Sequence, residues 1–153
     1  MSVKWVMLIY KLPRSKTTAK KVAIWRKLKK LGVCPLQDSV CILPHSERTL
    51  EHFEWLAEEI KEKGGNATLW ETKSLIVGQE EQLREYFLEQ VNGQYREIIA
   101  AAHDAADTRQ LQELWLRFNR VRTQDHLRSP LWIEVKGVLE QKMTELSGRG
   151  EAD

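Results

Sequence analysis

Apolar residues recur along the first half of the chain with spacings that predict alternating strands and helices. Residues 3–12 form an apolar, β-prone run that reads as a buried strand ended by Pro13. Helical spacing predicts a helix from about 18 to 31, with Gly32 at the position of a C-cap glycine. The apolar stripe of this helix is expected to contain Val22, Ile24, Trp25, Leu28 and Leu31.

The stretch "GVCPLQDSVCILPH", residues 32–45, contains two short β-prone runs separated by Asp38. It predicts a hairpin centred on Asp38, in which position 35 faces 41 or position 34 faces 42. Cys34 and Cys41 would then point to opposite faces of the sheet, or lie diagonally at best. Ser46 can cap a second helix that ends at Gly64-Gly65, and residues 66–73 read as a further strand.

The predicted order over residues 3–73 is β-α-β-β-α-β, which is the split βαβ or ferredoxin-like arrangement. From Gln79 onward the pattern is helical, and it predicts about three helices, the last beginning after Ser129-Pro130. We therefore predict an α+β protein with a ferredoxin-like domain at 1–75 and a C-terminal helical region at 76–153 that packs on it or on a partner subunit. The final residues, 147–153, are expected to be frayed.

Tryptophan is frequent, with six residues in 153. Trp5, Trp25 and Trp70 are expected in the core between sheet and helices or at its edges. Trp55 lies off the apolar stripe of its helix, which favours a position at an interface.

Composition places the chain among ordinary soluble proteins, with 42% hydrophobic and 30% charged residues. The longest apolar run, residues 5–10, is far too short to span a bilayer, and no signal-peptide cleavage site follows it. We expect a cytoplasmic protein without a membrane partner, whose two cysteines stay reduced.

The net charge of +2 hides a strong asymmetry along the chain. Residues 1–37 contain ten basic residues and no acidic one, leaving 14 of the 24 basic residues and all 22 acidic residues in the rest. This asymmetry predicts a contact with a polyanion, DNA above all. The alternative is a basic face that balances an acidic partner subunit or the acidic helices downstream. The residues selected as nucleic-acid-binding are Arg14, Lys16, Lys20, Arg26, Lys27 and Lys30.

A second basic cluster occurs late in the chain, beside Trp115 and Phe118. It could add phosphate contacts, or it could pair with the acidic helix over 51–62. Its members are Arg117, Arg120, Arg122 and Arg128.

No motif in the sequence predicts a catalytic residue, a metal site or a cofactor. Cys34 and Cys41 are seven residues apart without zinc-ligand spacing, so they are interpreted as small core residues or, alternatively, as redox-active thiols. Asp38 and His45 could be an acid–base pair, but a turn residue and a loop residue are the simpler interpretation.

Five blocks of the sequence, in this order, resemble the N-terminal region of the chromate-resistance regulator family ChrB. The blocks are "VMLIYKLP", "VAIWRKLKKLG", "LQDSVCILP", "WLAEEIKEKGGNATLWE" and "RFNRVRTQDHL". The region is more distantly similar to Cas2 proteins and to the C-terminal part of the repressor PaaX, which share a "Q-x-S-V" hairpin. The resemblance implies a DNA-binding, homodimeric transcription regulator of a chromate-efflux operon.

The resemblance also leaves two alternatives open. Full-length ChrB proteins carry a second domain associated with chromate response, which this sequence does not contain, so the chain could instead be an interaction subunit for a separate chromate-response protein. Cas2 nucleases place an aspartate at the end of the first strand, and the matching positions here are Tyr10 and Lys11. Since Lys11 would put a cation where Mg²⁺ should bind, we expect no nuclease.

Overall fold

The structure is a computed structural model that describes residues 3–14 and 18–151, with side chains up to residue 148. The described part is a mixed α+β protein with five helices and one four-stranded antiparallel sheet. The elements are β1 (Trp5–Lys11), α1 (Ala19–Leu31), β2 (Cys34–Gln37), β3 (Val40–Pro44), α2 (Glu47–Glu62), β4 (Asn66–Thr72), α3 (Gln79–Asp104), α4 (Thr108–Gln124) and α5 (Leu131–Glu151). They form two compact units, Met1–Tyr86 and Phe87–Asp153.

The sheet of the first unit has the strand order β2-β3-β1-β4. The central strand β1 pairs antiparallel with β3, from Trp5 opposite Pro44 to Ile9 opposite Val40, and antiparallel with β4 on its other edge. Helices α1 and α2 therefore each connect two strands that run in the same direction with one strand between them, as crossover connections do. The apolar composition of β1 fits this central position, since Trp5, Val6 and Leu8 are buried.

The hairpin forms as the sequence predicts. Cys34 pairs with Ile42 and Pro35 with Cys41, and the turn lies at Asp38 and Ser39. Ser39 adopts a left-handed backbone with φ of 63°, while the ladder is irregular between Pro35 and Gln37. The carbonyl of Ser39 accepts a hydrogen bond from the Tyr10 N–H at 3.0 Å, which ties the turn to the end of β1.

Helix α1 ends at Gly32, whose φ of 74° is the left-handed conformation that favours glycine at a C-cap. Its buried residues are Ile24 and Leu28 only. The prediction that Val22 and Trp25 belong to the apolar stripe is wrong, because both side chains are exposed. The buried stripe of α1 is narrower than the sequence predicts, and Val22 and Trp25 lie outside it.

Helix α2 begins at a reciprocal cap. The Ser46 hydroxyl accepts from the Thr49 N–H at 3.1 Å, and the Thr49 hydroxyl accepts from the Ser46 N–H at 2.9 Å. The helix ends before Gly64 and Gly65, as predicted. Gly65 fits because a Cβ there would overlap the Lys11 carbonyl oxygen and lie 2.9 Å from Cγ2 of Ile60.

The second unit is helical, with a core made by one face of each of its helices. The largest buried side chains are Tyr95, Ile98, Leu111, Phe118 and Leu139. The Tyr95 hydroxyl donates to Asp125 at 2.8 Å, and Asp125 also accepts from the Ser129 N–H at 2.9 Å. Contrary to prediction, the tail is not frayed over its whole length, since α5 continues to Glu151; residues 152–153 lie outside the described part.

Candidate nucleic-acid interface

The basic residues of the N-terminal quarter come mainly from two places, the end of β1 and helix α1. Lys11 is the last residue of β1 and Arg14 follows shortly after it. Lys16, which was selected from the sequence, lies outside the described residues. The six remaining cations of this quarter that follow Lys16 all lie on α1: Lys20, Lys21, Arg26, Lys27, Lys29 and Lys30.

One group of α1 cations is engaged with α2 and the residues after it. Nζ of Lys20 donates to the Lys63 carbonyl at 3.0 Å, and Lys27 forms an ion pair with Glu59. Lys30 lies beside Lys27 along a groove that Trp55 and Glu59 of α2 also line. Three of the residues selected from the sequence therefore lie next to acidic or carbonyl groups of the same unit, which reduces their availability to phosphates.

A second group lines a cleft on the other side of α1. Lys21 and Trp25 of α1, Lys11 of β1 and Arg14 border a cavity of about 790 Å³. The hairpin closes it, through residues 35–41. The structure thus brings Arg14 together with two cations, Lys11 and Lys21, that were not selected from the sequence. The signal that could have found Lys21 is its i, i+4 and i, i+7 spacing to Trp25 and Leu28.

The cleft has an excess of positive charge. Among the described residues that line it, three are cations, Lys11, Arg14 and Lys21, and one is a carboxylate, Asp38 of the turn. In the described part of the chain, no acidic group lies within ion-pair distance of Lys11, Arg14 or Lys21. Such cations are free to neutralise phosphates and to release the counterions that surround a nucleic acid. Arg26, on the solvent side of α1, likewise has no described acidic group within ion-pair distance.

Tyr10 also borders this cleft. Burial, followed by the nearby Cys41 and Asp38, raises the pKa of its hydroxyl, although a hydrogen bond with Ser39 opposes the shift. The group therefore remains a protonated hydroxyl at neutral pH, able to donate as well as to accept a hydrogen bond.

The two cysteines lie on opposite faces of the sheet, since antiparallel partners share a face and Cys41 pairs with Leu8 whereas Cys34 pairs with Ile42. Cys34 is 6% and Cys41 3% exposed. Burial raises the pKa of Cys34, and burial together with the neighbouring Cys34 raises the pKa of Cys41 to about 12. Because the thiolate is the reactive form, this environment weighs against a redox role for either residue.

The Asp38–His45 combination does not form an acid–base pair. Asp38 lies in the hairpin turn, whereas Nε2 of His45 is 3.9 Å from Glu71, which also pairs with Lys4. The Glu71 carboxylate has a lowered pKa because it accepts from Lys4. Among the described residues, no three His, Cys, Asp or Glu side chains are grouped so that they could hold a metal ion.

Two arginines of the second basic cluster, Arg117 and Arg122, contact other residues of the second unit. Arg117 forms an ion pair with Glu97 of α3, not with residues 51–62. The guanidinium carbon of Arg122 lies 4.8 Å from the ring centroid of Trp132 and 5.7 Å from that of Phe118. These contacts hold α4 against its neighbours and favour a structural role for these two arginines.

Together, these features define a small α+β protein with a basic cleft beside α1, lined by Lys11, Arg14 and Lys21. A family described as "Protein ChrB, N-terminal" matches residues 21–117, from α1 into α4. The match covers more than half of the chain, so the protein belongs to this family and is related to the chromate-resistance regulators. A comparison with curated proteins finds no match. No helix in the described residues has the length and apolar character needed to cross a membrane.

Proposed function

We propose that the protein is a transcription regulator, or another DNA-associated regulatory protein, of the chromate-resistance type. The observation that carries the proposal is a set of cations for which no described acidic group lies within ion-pair distance, in a member of the ChrB N-terminal family. The set comprises Lys11, Arg14, Lys21 and Arg26. These cations supply the sequence-independent phosphate contacts on which DNA affinity depends. We also propose that the first unit is ferredoxin-like, which its strand order β2-β3-β1-β4 supports.

An electrophoretic shift with duplex DNA from the protein's own operon, at low salt, tests the DNA contact. Arg14→Gln combined with Arg26→Gln should weaken binding and lower the salt dependence by about one for each lost phosphate contact. Lys61→Gln combined with Lys73→Gln removes the same charge from the acidic part of the chain and should have little effect. Absence of any shift by the unchanged protein at low salt would refute the proposal.

A second candidate function, as an interaction subunit, is favoured by exposed apolar residues in the first unit. Leu75, Ile76 and Val77 follow β4 and are 86, 72 and 101% exposed. Met7 and Trp70 are paired on the same sheet face as Ile9, and Ile9 and Trp70 are exposed. We propose that a partner covers these side chains, in the first place a second copy of the chain, since exposed apolar surface marks sites of protein association.

Size-exclusion chromatography with light scattering measures the oligomeric state directly. Ile76→Asp with Trp70→Glu should shift a dimer to monomer, whereas Leu116→Asp, a change at an exposed apolar residue of α4, should not. A monomer at all concentrations would reject the homodimer, and co-purification of a protein encoded beside it would then point to a separate chromate-response partner.

We further propose that the protein is not a nuclease of the Cas2 type. The end of β1 presents the Tyr10 hydroxyl and the Lys11 ammonium group, and an ammonium group repels a divalent cation. Cleavage of DNA or RNA that depends on Mg²⁺ or Mn²⁺, and that survives repeated purification, would contradict this.

A further inference from the structure

The cleft beside α1 has the dimensions of a small-molecule site as well as a basic rim. Its volume of about 790 Å³ lies within the range of roughly 300–1,000 Å³ that ligand sites occupy. Three separate parts of the chain form its walls: the end of β1, helix α1 and the hairpin. Cations that only contacted the backbone of a duplex would not need a cavity of this size.

Trp25 gives the cleft a flat aromatic surface. Its side chain is 50% exposed, although apolar periodicity places it among the core residues. The cleft is also lined by the buried apolar residues Leu28, Val33 and Cys41. A half-exposed aromatic ring and buried apolar side chains in one cleft are suited to a planar ligand group that stacks on the ring and loses water on entry.

The polar groups of the cleft complement this surface. The ammonium and guanidinium groups of Lys11, Lys21 and Arg14 select an anion, with Arg14 able to bind phosphate through two N–H groups. The hairpin contributes Gln37, Asp38 and Ser39, whose amide, carboxylate and hydroxyl groups can donate to or accept from the edge of a heteroaromatic ring.

We infer that this cleft binds a nucleotide unit, with the base stacked on Trp25 and the phosphate held by Lys11, Arg14 and Lys21. The nucleotide can be free in solution or an unpaired residue of a nucleic-acid strand, and in the second case the inference rests on the proposed DNA association. Stacking on aromatic residues beside a basic groove is the physical basis of single-strand binding.

Titration calorimetry with the full chain at low salt tests the inference with three probes: deoxythymidine monophosphate, a short oligo-deoxythymidylate and inorganic phosphate. We expect one of the two nucleotide probes to bind at least about tenfold more tightly than inorganic phosphate, because only the nucleotide uses Trp25. Tighter binding of the oligonucleotide identifies a strand as the natural source, and tighter binding of the monophosphate identifies a free nucleotide.

Trp25→Ala should lower nucleotide affinity about tenfold and leave the weak binding of inorganic phosphate unchanged. Lys21→Glu should lower the affinity for all three probes. The matched controls are Trp55→Ala, a second exposed tryptophan, and Lys61→Glu, an exposed lysine on α2; both should bind as the unchanged protein does. Circular dichroism confirms that each variant is folded.

Three results would overturn the inference: no binding of either nucleotide probe, equal affinity for inorganic phosphate and nucleotide, or full nucleotide affinity in folded Trp25→Ala. The duplex shift assay distinguishes a failure of the nucleotide-cleft inference from a failure of the proposed DNA association. A duplex that shifts while neither nucleotide probe binds rejects the cleft alone. Binding of the monophosphate without a duplex shift rejects the DNA association alone.

Discussion

Lys27 of α1 and Glu59 of α2 form an ion pair across 32 positions of sequence, and this pair joins the two helices of the first unit. The Lys27 side chain is therefore already partnered within the fold. We expect Lys27→Gln to reduce DNA binding less than Arg14→Gln does, because the lysine must leave a carboxylate before it can reach a phosphate.

The same pair gives a stability prediction. Lys27→Glu places two carboxylates together and should lower the free energy of unfolding by about 0.5–1 kcal/mol, the scale of a partly exposed pair. Adding Glu59→Lys should recover most of that loss in urea denaturation. Strictly additive effects of the two changes would show that the pair contributes nothing.

Gly65→Ala and Gly93→Ala should change stability in opposite directions. A methyl group at Gly65 collides with the Lys11 carbonyl and Ile60, so the variant should lose about 1–3 kcal/mol. At Gly93, inside α3, nothing lies within 4 Å of an added Cβ, so alanine should gain about 0.5–1 kcal/mol from its higher helix propensity. Thermal melts of the two variants measure both changes in stability. Equal melting temperatures would refute the close approach of the Lys11 carbonyl and Ile60 to Gly65.

Cys41 should make the first unit less stable at alkaline pH. Its pKa is raised from 9.0 to about 12 in the folded protein, so the folded state holds a proton that the unfolded state releases. Its contribution to stability is fully present below pH 9 and declines between pH 9 and pH 12 by up to about 1.4 kcal/mol per pH unit.

Urea denaturation between about pH 8 and pH 10.5 measures this slope, which should be smaller in Cys41→Ala. A thiol reagent provides a second readout, because both buried thiols should react slowly in the folded protein and rapidly in urea. Rapid reaction of the folded protein would show that a thiolate is accessible and would revive the redox interpretation.

Asp125 should matter more for stability than its partner Tyr95. Tyr95→Phe loses one hydrogen bond while Asp125 keeps the Ser129 N–H, so we expect a cost of about 1–2 kcal/mol. Asp125→Ala removes the acceptor from both the Tyr95 hydroxyl and the Ser129 N–H, and should cost more. Equal losses in urea denaturation would mean that the Tyr95 hydroxyl finds another acceptor.

Local sequence patterns predicted the secondary structure correctly where a single short-range effect, such as a turn residue or a helix cap, determines the backbone conformation. The hairpin centre at Asp38 predicted the pairing of Cys34 with Ile42, and the backbone freedom of glycine identified Gly32 as the end of α1. The capping role of Ser46 follows from the same kind of short-range chemistry.

The candidate site was harder to predict because it depends on distant contacts. Helical spacing shows which cations share a side of α1. It cannot show that Glu59 pairs with Lys27 while no described acidic group is within ion-pair distance of Lys21. Trp25 illustrates the same limit, since apolar character alone does not tell a core residue from one at the rim of a cleft.

The hydrogen bond from the Tyr10 N–H to the Ser39 carbonyl has a consequence for the thermodynamics of binding. It fixes the end of β1 and the hairpin turn, two walls of the cleft, as parts of one backbone ladder before any ligand arrives. A ligand that enters would restrict side chains such as Arg14 and Lys21 but would not have to order these two walls. Preorganisation of this kind lowers the entropic cost of association, so even a short anionic ligand can bind with useful affinity.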